Sequence, residues 1–391
     1  MSQSHSTLRL LNRTTVLAGI RANAPVSRAE IGRLTSVSAP TVSSIVAELL
    51  AQGIVGELPA GASEGGRPPR LLVFSDNVLY VGCDLSTSGV IRLGLVNLRD
   101  EVIDVRSVDY PESPPDPHHV VELIATHVEG WLEHRGCGAR VEGIGIGAPG
   151  VTDVERGVVH WAANLSWSEV PLADLVGVRL GIPTVVDNDV NLALLGEVSQ
   201  GVACSTRHAV LASFRDGVGG AVLIDGRLYR GRGAAGEIGY LVTTWPGAEP
   251  LREFGASERR IKTLLRDELA ARGEGGDASD LEMTALVSRL LTDEGEFALS
   301  PGTERALAET IASCLASVVA LLDPEIVVLS GWIENLSERQ LGEISDALSL
   351  LVPSSVPPLR LSELGPTATL AGAGISAHRA SMHLAEVVRA R

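Results

Sequence analysis

Ser38, Thr41, Ser43 and Ser44 lie on one side of a short segment whose other side is Val42, Ile45, Val46, Leu49 and Leu50. Apolar residues at i, i+3, i+4, i+7 and i+8 mark an amphipathic helix, so the hydroxyls form its outer face. Small hydroxyls let a helix approach the floor of a DNA major groove and donate to phosphates or base edges. Ser38 is a good N-cap, Pro40 falls in the first turn where its missing N–H costs little, and Gly53 suits the C′ position. Upstream, Ser27, Arg28, Ala29 and Glu30 spell a capping box that opens another helix, with Ile31 and Leu34 inward and an end near Thr35 and Ser36. A first helix is predicted from about Asn12 to Ala22, with Val16, Leu17 and Ile20 on one face. Helix, tight turn and helix make a helix-turn-helix.

Two alternating segments follow, Ile54–Leu58 and Arg70–Phe74, like the strands of a wing. The tip between them, Gly61 to Pro69, reads GASEGGRPP. It puts Arg67 on a thin extended backbone suited to a minor groove. The candidate DNA-contacting set is therefore Ser27, Arg28, Ser38, Pro40, Thr41, Ser43, Ser44, Arg67 and Arg70. The competing account of these residues is a three-helix protein-docking module with a flexible loop.

Charge supports the nucleic-acid account. The chain carries −16 overall, yet residues 1–80 hold seven arginines against five acids, a balance of +2 that leaves −18 on the remainder. A mildly basic head on an acidic body is the asymmetry of a small nucleic-acid module joined to a domain with another occupant. At 391 residues, two or three domains are expected. No run approaches the ~20 uninterrupted apolar residues of a membrane span, and the start lacks a basic-then-apolar secretion signal, so a cytoplasmic location is expected. Cys83, Cys137, Cys204 and Cys314 show no C-x-x-C spacing and read as reduced thiols, not metal ligands or disulfides. Lys262 is the sole lysine, so a phosphate-binding lysine can exist nowhere else.

From Leu79 the pattern alternates strands and helices, the signature of an α/β body. Leu79–Asp84 is a buried strand ending in an aspartate, and Val90–Val96 and Val102–Val105 continue a meander. Residues 111–117 form a Pro-rich loop and 118–135 a helix that opens with solvated His118 and His119. Further strands are expected at Ile144–Ala148, at Thr184–Asp187, on either side of Gly217–Gly220, and at Ile326–Leu329 after a helix near Glu304–Leu322. Comparable halves, 79–187 and 188–391, imply two lobes with a cleft between them, behind a head of residues 1–78.

The segments "GIGIGAPGVTDVERGVV", "NLSW", "GIPTVVDNDVNLALLGE", "GEIGY" and "LSGW", in this order, resemble the ROK family of sugar kinases and transcriptional repressors. The head, with "SRAEIGRLTSVSAPTVSSIVAELLAQGIV" and "GGRPPRLL", resembles its repressor branch. The resemblance spans essentially the whole chain. It implies a winged helix-turn-helix plus a two-lobed, actin-like, sugar-kinase-type ATPase fold, dimeric or tetrameric, with sugar between the lobes.

Carried over residue by residue, it implies sugar binding by Gly150 of the Pro-Gly turn and by Asn188 and Asp189. Asp189 stands at the position of the family's general base. Glu237, Glu253 and, more weakly, Asn164 join that set. Outside these motifs, Asp189 or Glu237 would pass for a solvated or capping carboxylate.

The departures are as informative. The family's nucleotide loop, Asp-x-Gly-Gly-Thr-Lys, is here Asp84, Leu85, Ser86, Thr87, Ser88 and Gly89. Its paired glycines, which let backbone amides close on phosphate, and its lysine are gone. Asp216, before Gly217, Val218 and Gly219, puts a carboxylate where the family has a hydroxyl facing phosphate. The family's zinc-binding histidine is Tyr240, and Thr243–Leu251 contains no cysteine or histidine, so neither zinc nor ATP is expected as a cofactor. Tyr240 still offers a hydroxyl and an apolar face to a sugar.

The expected function is a repressor of carbohydrate-utilisation genes, bound to double-stranded operator DNA as an oligomer and modulated by a carbohydrate effector, with kinase activity lost. The alternatives are an active sugar kinase with a DNA-binding head, and a scaffold that takes its cue from a protein partner.

Overall fold

The computed structural model describes residues 2–59, 70–110, 114–135, 139–215, 217–241, 256–273, 289–291, 299–352 and 355–389. The roles expected of Arg67, Asp216 and Glu253 therefore fall outside the described residues, as does the stretch 243–251. The head starts with α1 (Ser2–Asn23), which begins ten residues earlier than its apolar spacing predicts and buries Val16, Leu17 and Ile20. A two-residue strand, β1 (Val26–Ser27), has no counterpart in the sequence pattern. The reciprocal capping box then opens α2 (Arg28–Thr35). Ser27 Oγ accepts from the Glu30 N–H (3.3 Å), and the Glu30 carboxylate accepts from the Ser27 N–H (3.0 Å). Ser36, in the left-handed region at φ 56, ends it, and Ser38 caps α3 (Ala39–Ala51), with Pro40 in the first turn.

Val42, Ile45, Val46 and Leu49 form the buried stripe of α3. Leu34, expected to point inward, is instead 55% exposed, because α2 is too short to present two apolar rows to the core. Strands β2 (Val55–Pro59) and β3 (Arg70–Phe74) pair antiparallel from Val55↔Phe74 to Pro59↔Arg70. They complete a three-stranded sheet in the order β1-β3-β2, the framework of the wing.

The body repeats one topology. In the first lobe β4 (Val78–Thr87), β5 (Val90–Asn97) and β6 (Val102–Asp109) form an antiparallel meander. There β7 (Arg140–Ala148) joins β4 in parallel. A three-stranded flap, β8 (Val151–Asp153), β9 (Val158–Ala162) and β10 (Trp167–Val170), precedes β11 (Thr184–Asn188), which joins β7 in parallel. In the second lobe β12 (Ala209–Phe214), β13 (Val218–Ile224) and β14 (Arg227–Leu228) form the meander. There β15 (Ile326–Gly331) and β16 (Leu359–Leu361) extend it in parallel. The sheet orders β11-β7-β4-β5-β6 and β14-β13-β12-β15-β16 are the same arrangement twice.

Helices α4 (Pro117–Arg135) and α5 (Leu172–Leu180) accompany the first sheet; α7 (Ala256–Ala271), α8 (Pro301–Leu322) and α9 (Glu338–Ser349) accompany the second. By length and composition α8 could cross a membrane, but its apolar face, with Leu307, Ile311 and Leu315, lies in the second-lobe core beside Val327 and Leu329.

The expected second lobe, 188–391, needs one amendment. Its last helix, α10 (Ala368–Arg389), returns to the first sheet and packs beside α6 (Asp189–Gln200). The approach is backbone on backbone: a Cβ on Gly145 of β7 would lie 2.0 Å from the Ala373 carbonyl oxygen, and one on Gly372 would lie 1.8 Å from that of Leu192. The head shares a core with this region, in which Val16, Ile20, Ile45 and Phe74 cluster with Tyr80, Val96, Leu98 and Ala377.

Gly145→Ala should lower the urea-unfolding midpoint by the equivalent of about 1–3 kcal/mol through overpacking. Gly342→Ala in α9, where an added Cβ meets nothing within 4 Å, should raise it by about 0.5–1 kcal/mol.

Candidate ligand cleft and nucleic-acid interface

Asn188 closes β11 and caps α6. Its Oδ1 accepts from the N–H groups of Val190 (2.9 Å) and Asn191 (3.1 Å), and its Nδ2 donates to the Gly150 carbonyl oxygen (3.0 Å). One side chain thus ties the Pro-Gly turn after β7 to the start of α6, with Gly150 at φ 80. Asp189, the first residue of α6, is buried at 7% exposure. Burial pushes its carboxyl up to about 7; the Arg215 guanidinium pulls it down and Asp84 adds to the rise. A buried carboxyl poised near neutrality is suited to hold, or take a proton from, a sugar hydroxyl.

The second lobe reaches this point through the loop after β14. Arg230 donates from Nε (2.9 Å) and Nη2 (2.7 Å) to Oδ2 of buried Asp187, the residue before Asn188. Three residues on, a Cβ on Gly233 would lie 2.5 Å from the Thr152 carbonyl oxygen of β8. Glu237 precedes and Tyr240 completes the single 3-10 turn that ends the loop, and both are half-buried. Asn164 is exposed, three residues past the Trp161 carbonyl oxygen that abuts Gly150. Gly150 and Asn188 are therefore brought into direct contact, with Asp189 next in the chain, while Glu237 and Tyr240 arrive on the loop that bridges the lobes.

The end of the cleft nearest Asp84 is filled from within. Asp84 is buried; its Oδ1 accepts from the Ser86 N–H (2.9 Å), and its Oδ2 pairs with Arg215 Nη1 at 3.4 Å. Arg215, just past β12, also donates to Ser86 Oγ. Burial opposes its charge, but Asp84, Asp189 and Glu334 together hold it above its ordinary range. Burial likewise raises Glu334, whose Oε1 accepts from the Gly331 N–H (2.8 Å). The nucleotide-loop segment itself is a continuation of β4 to Thr87, followed by a turn with Gly89 at φ 77. Asp84 is thus already paired, and the residues after it continue a strand.

In the head, Pro40, Ser43 and Ser44 are exposed on the outer face of α3, and Ser38 and Thr41 are linked by their hydroxyls (2.8 Å) at its N-terminus. Arg28 (2.7 Å) and Arg70 (2.6 Å) both pair with Glu57, which these partners, Arg70 foremost, hold below the usual carboxylate range. The pairing binds the start of α2 to the wing and keeps both guanidinium groups on one side. Ser27 requires correction as a DNA contact: it is 7% exposed and its hydroxyl is committed to Glu30.

Two residues escaped the sequence reading. Arg215 had a signal, since an aspartate in a buried strand demands a cation, and Arg215 directly follows the topologically equivalent strand of the other lobe. Trp161 is 42% exposed, directly opposite Val151, whose side chain faces the Gly233 loop. Its signal was an indole at an outward strand position.

A winged helix-turn-helix fused to a duplicated, actin-like body defines the class: a sugar-kinase-type fold carrying a winged helix-turn-helix head. Residues 81–379 match the model of the ROK family. A putative xylose repressor of Caldicellulosiruptor sp. (strain Rt8B.4) is 29% identical over 353 residues, covering 87% of this chain and 88% of that protein. Among solved structures, a ROK family transcriptional regulator described as a homolog of the E. coli MLC protein superposes with a TM-score of 0.79 at 21% identity, covering 98% and 99% of the two chains. A ROK family glucokinase from Streptomyces griseus, in complex with glucose and AMPPNP, gives 0.65 at 27% identity, covering 77% and 99%. The chain belongs to the ROK family.

Because the Asp189 carboxyl is raised from 3.8 to about 7, its contribution to stability is complete at low pH and is lost as pH rises through about 7. Asp189→Asn should therefore gain stability relative to the parent between pH 4 and pH 7.5. A melting-temperature difference flat across that range would contradict the burial of an ionisable group here.

Proposed function

We propose that this protein is a transcriptional repressor that binds operator DNA through its winged helix-turn-helix and senses an unphosphorylated sugar in the interlobe cleft, without phosphorylating it. The observation that carries the sensor half is the division of the cleft. The Gly150, Asn188 and Asp189 end keeps groups able to hold hydroxyls, while the phosphate end is closed by Arg215 on Asp84. The similarity to a putative xylose repressor extends over the head as well as the body, which supports a pentose or hexose effector and control of carbohydrate-utilisation genes. Neither zinc nor nucleotide enters this account.

As a homodimer or tetramer in the cytoplasm, the protein would present its heads in pairs at a spacing that matches a pseudo-palindromic operator. A sugar that binds closed lobes more tightly than open ones shifts the population between two head spacings. One observation favours a kinase instead, namely Asp189 poised near neutrality beside the sugar-binding turn.

Fluorescence anisotropy on upstream DNA at fixed salt, with and without D-xylose and D-glucose, tests the proposal. Binding should be tight alone and at least tenfold weaker with one of the sugars; an affinity that neither sugar alters would sink the effector. Salt is fixed because phosphate contacts make such affinities steeply salt-dependent. Sugar-dependent ADP release should stay at background in the parent; release that disappears in Asp189→Asn would establish the kinase.

A further inference from the structure

The turn between β5 and β6, Asn97–Glu101, is gripped from two sides. From the head, Arg21 near the end of α1 pairs with Asp100 and donates to the Leu98 carbonyl oxygen (3.2 Å). From the body, the last two residues of α6 reach the same turn: Ser199 Oγ donates to Asp100 Oδ2 (3.1 Å) and Gln200 Nε2 to the Arg99 carbonyl oxygen (2.9 Å). Asp100 is 2% exposed and sits at φ 68, a left-handed conformation costly for a residue with a Cβ. The turn holds it there through Asn97, whose Oδ1 accepts from the N–H groups of Arg99 (2.8 Å) and Glu101 (3.1 Å).

The other Asp100 oxygen, Oδ1, is buried and accepts no hydrogen bond among the described residues. It faces His378 Nδ1 of α10 at 3.7 Å, and that ring stacks on Tyr80. A buried carboxylate oxygen left just beyond hydrogen-bond reach of a ring nitrogen marks a junction that a small displacement would rearrange.

The helix that ends at this turn is the one that begins at the cleft. Asn188 caps α6 and Asp189 opens it, and its twelve residues span about 18 Å. Close contact with α10 at Gly372, and burial from Asp189 through Glu197, leave α6 to move as a rod. We propose that α6 transmits occupancy of the ligand cleft to the DNA-binding head through the Asp100 turn, with Ser199 and Asp100 as positioning residues. The inference rests on the sugar-sensor account of the cleft and specifies its regulation. A ligand that pulls on Asn188 and Asp189 displaces Ser199 along the helix axis. Asp100 then exchanges partners among Ser199, His378 and Arg21, which turns α1 and with it α3.

The experiment measures the ratio of operator affinities without and with D-xylose or D-glucose in the full-length parent, Ser199→Ala, Ser199→Ala/Gln200→Ala and Ser199→Thr. Calorimetry gives the sugar affinity of each. The alanine variants should bind the sugar within twofold of the parent yet lose at least fivefold of the ratio, and threonine, which keeps the hydroxyl, should restore it. An undiminished ratio in both alanine variants would overturn the relay and leave the sensor standing. Failure of threonine to restore the ratio would also overturn it, because the loss would then be structural. A parent ratio of one with both sugars would remove the sensor account, and the relay with it.

Discussion

Two helices that touch through their backbones set the geometry of everything else in this molecule. Gly372 lets α10 lie against α6 at the level of Leu192, and Gly145 lets the same helix lie on the first sheet. Van der Waals contact between backbones leaves no flexible side chains to absorb movement, so α10 and α6 form a layer on the sheet in which a shift of α6 is passed on to what it touches. The Asn188 end of α6, the bridge to the second lobe and the contact with the head all hang on that layer. It is also why a helix late in the chain belongs structurally to the first lobe.

Around this frame the cleft is arranged by charge. Asp84 and Asp189 are buried carboxylates, and Glu334 a partly buried one, near one guanidinium, that of Arg215. A buried charge persists only when paired or protonated. Arg215 answers Asp84 directly, and Asp189 is left with a carboxyl raised to about 7. An internal cation thus lies against Asp84, while Asn188 ties itself to Gly150 by a separate contact. The second carboxylate of the strand end, Asp187, is answered separately by Arg230 from the opposite lobe. That pair ties the second lobe to the residue before Asn188.

Local rules were written plainly in the chain. Ser27 with Glu30, and Ser38 with Pro40, specify two helix starts because a cap involves atoms within three residues of each other. The stripe Val42, Ile45, Val46 and Leu49 specifies the buried side of α3, and alternation specifies the wing strands. Leu34 went wrong because inwardness depends on how much of a short helix its neighbours cover. Ser27 went wrong as a contact because one hydroxyl could not serve both cap and phosphate. In the cleft, Gly150, Asn188 and Asp189 were legible as a motif, but the ties among them were not, since Asn188 reaches Gly150 across 38 residues.

By itself, then, the chain determined its helix caps, its strand alternation, the basic head on an acidic body and the degenerate phosphate loops. Each of these is fixed by covalent neighbours or by composition. Only the tertiary structure decided that α10 belongs to the first lobe, that Arg215 neutralises Asp84, and that Arg21 and Ser199 meet at Asp100. Those contacts join residues far apart in sequence, and their energies depend on burial. Desolvation is a property of the packed whole and is written in no single stretch of residues.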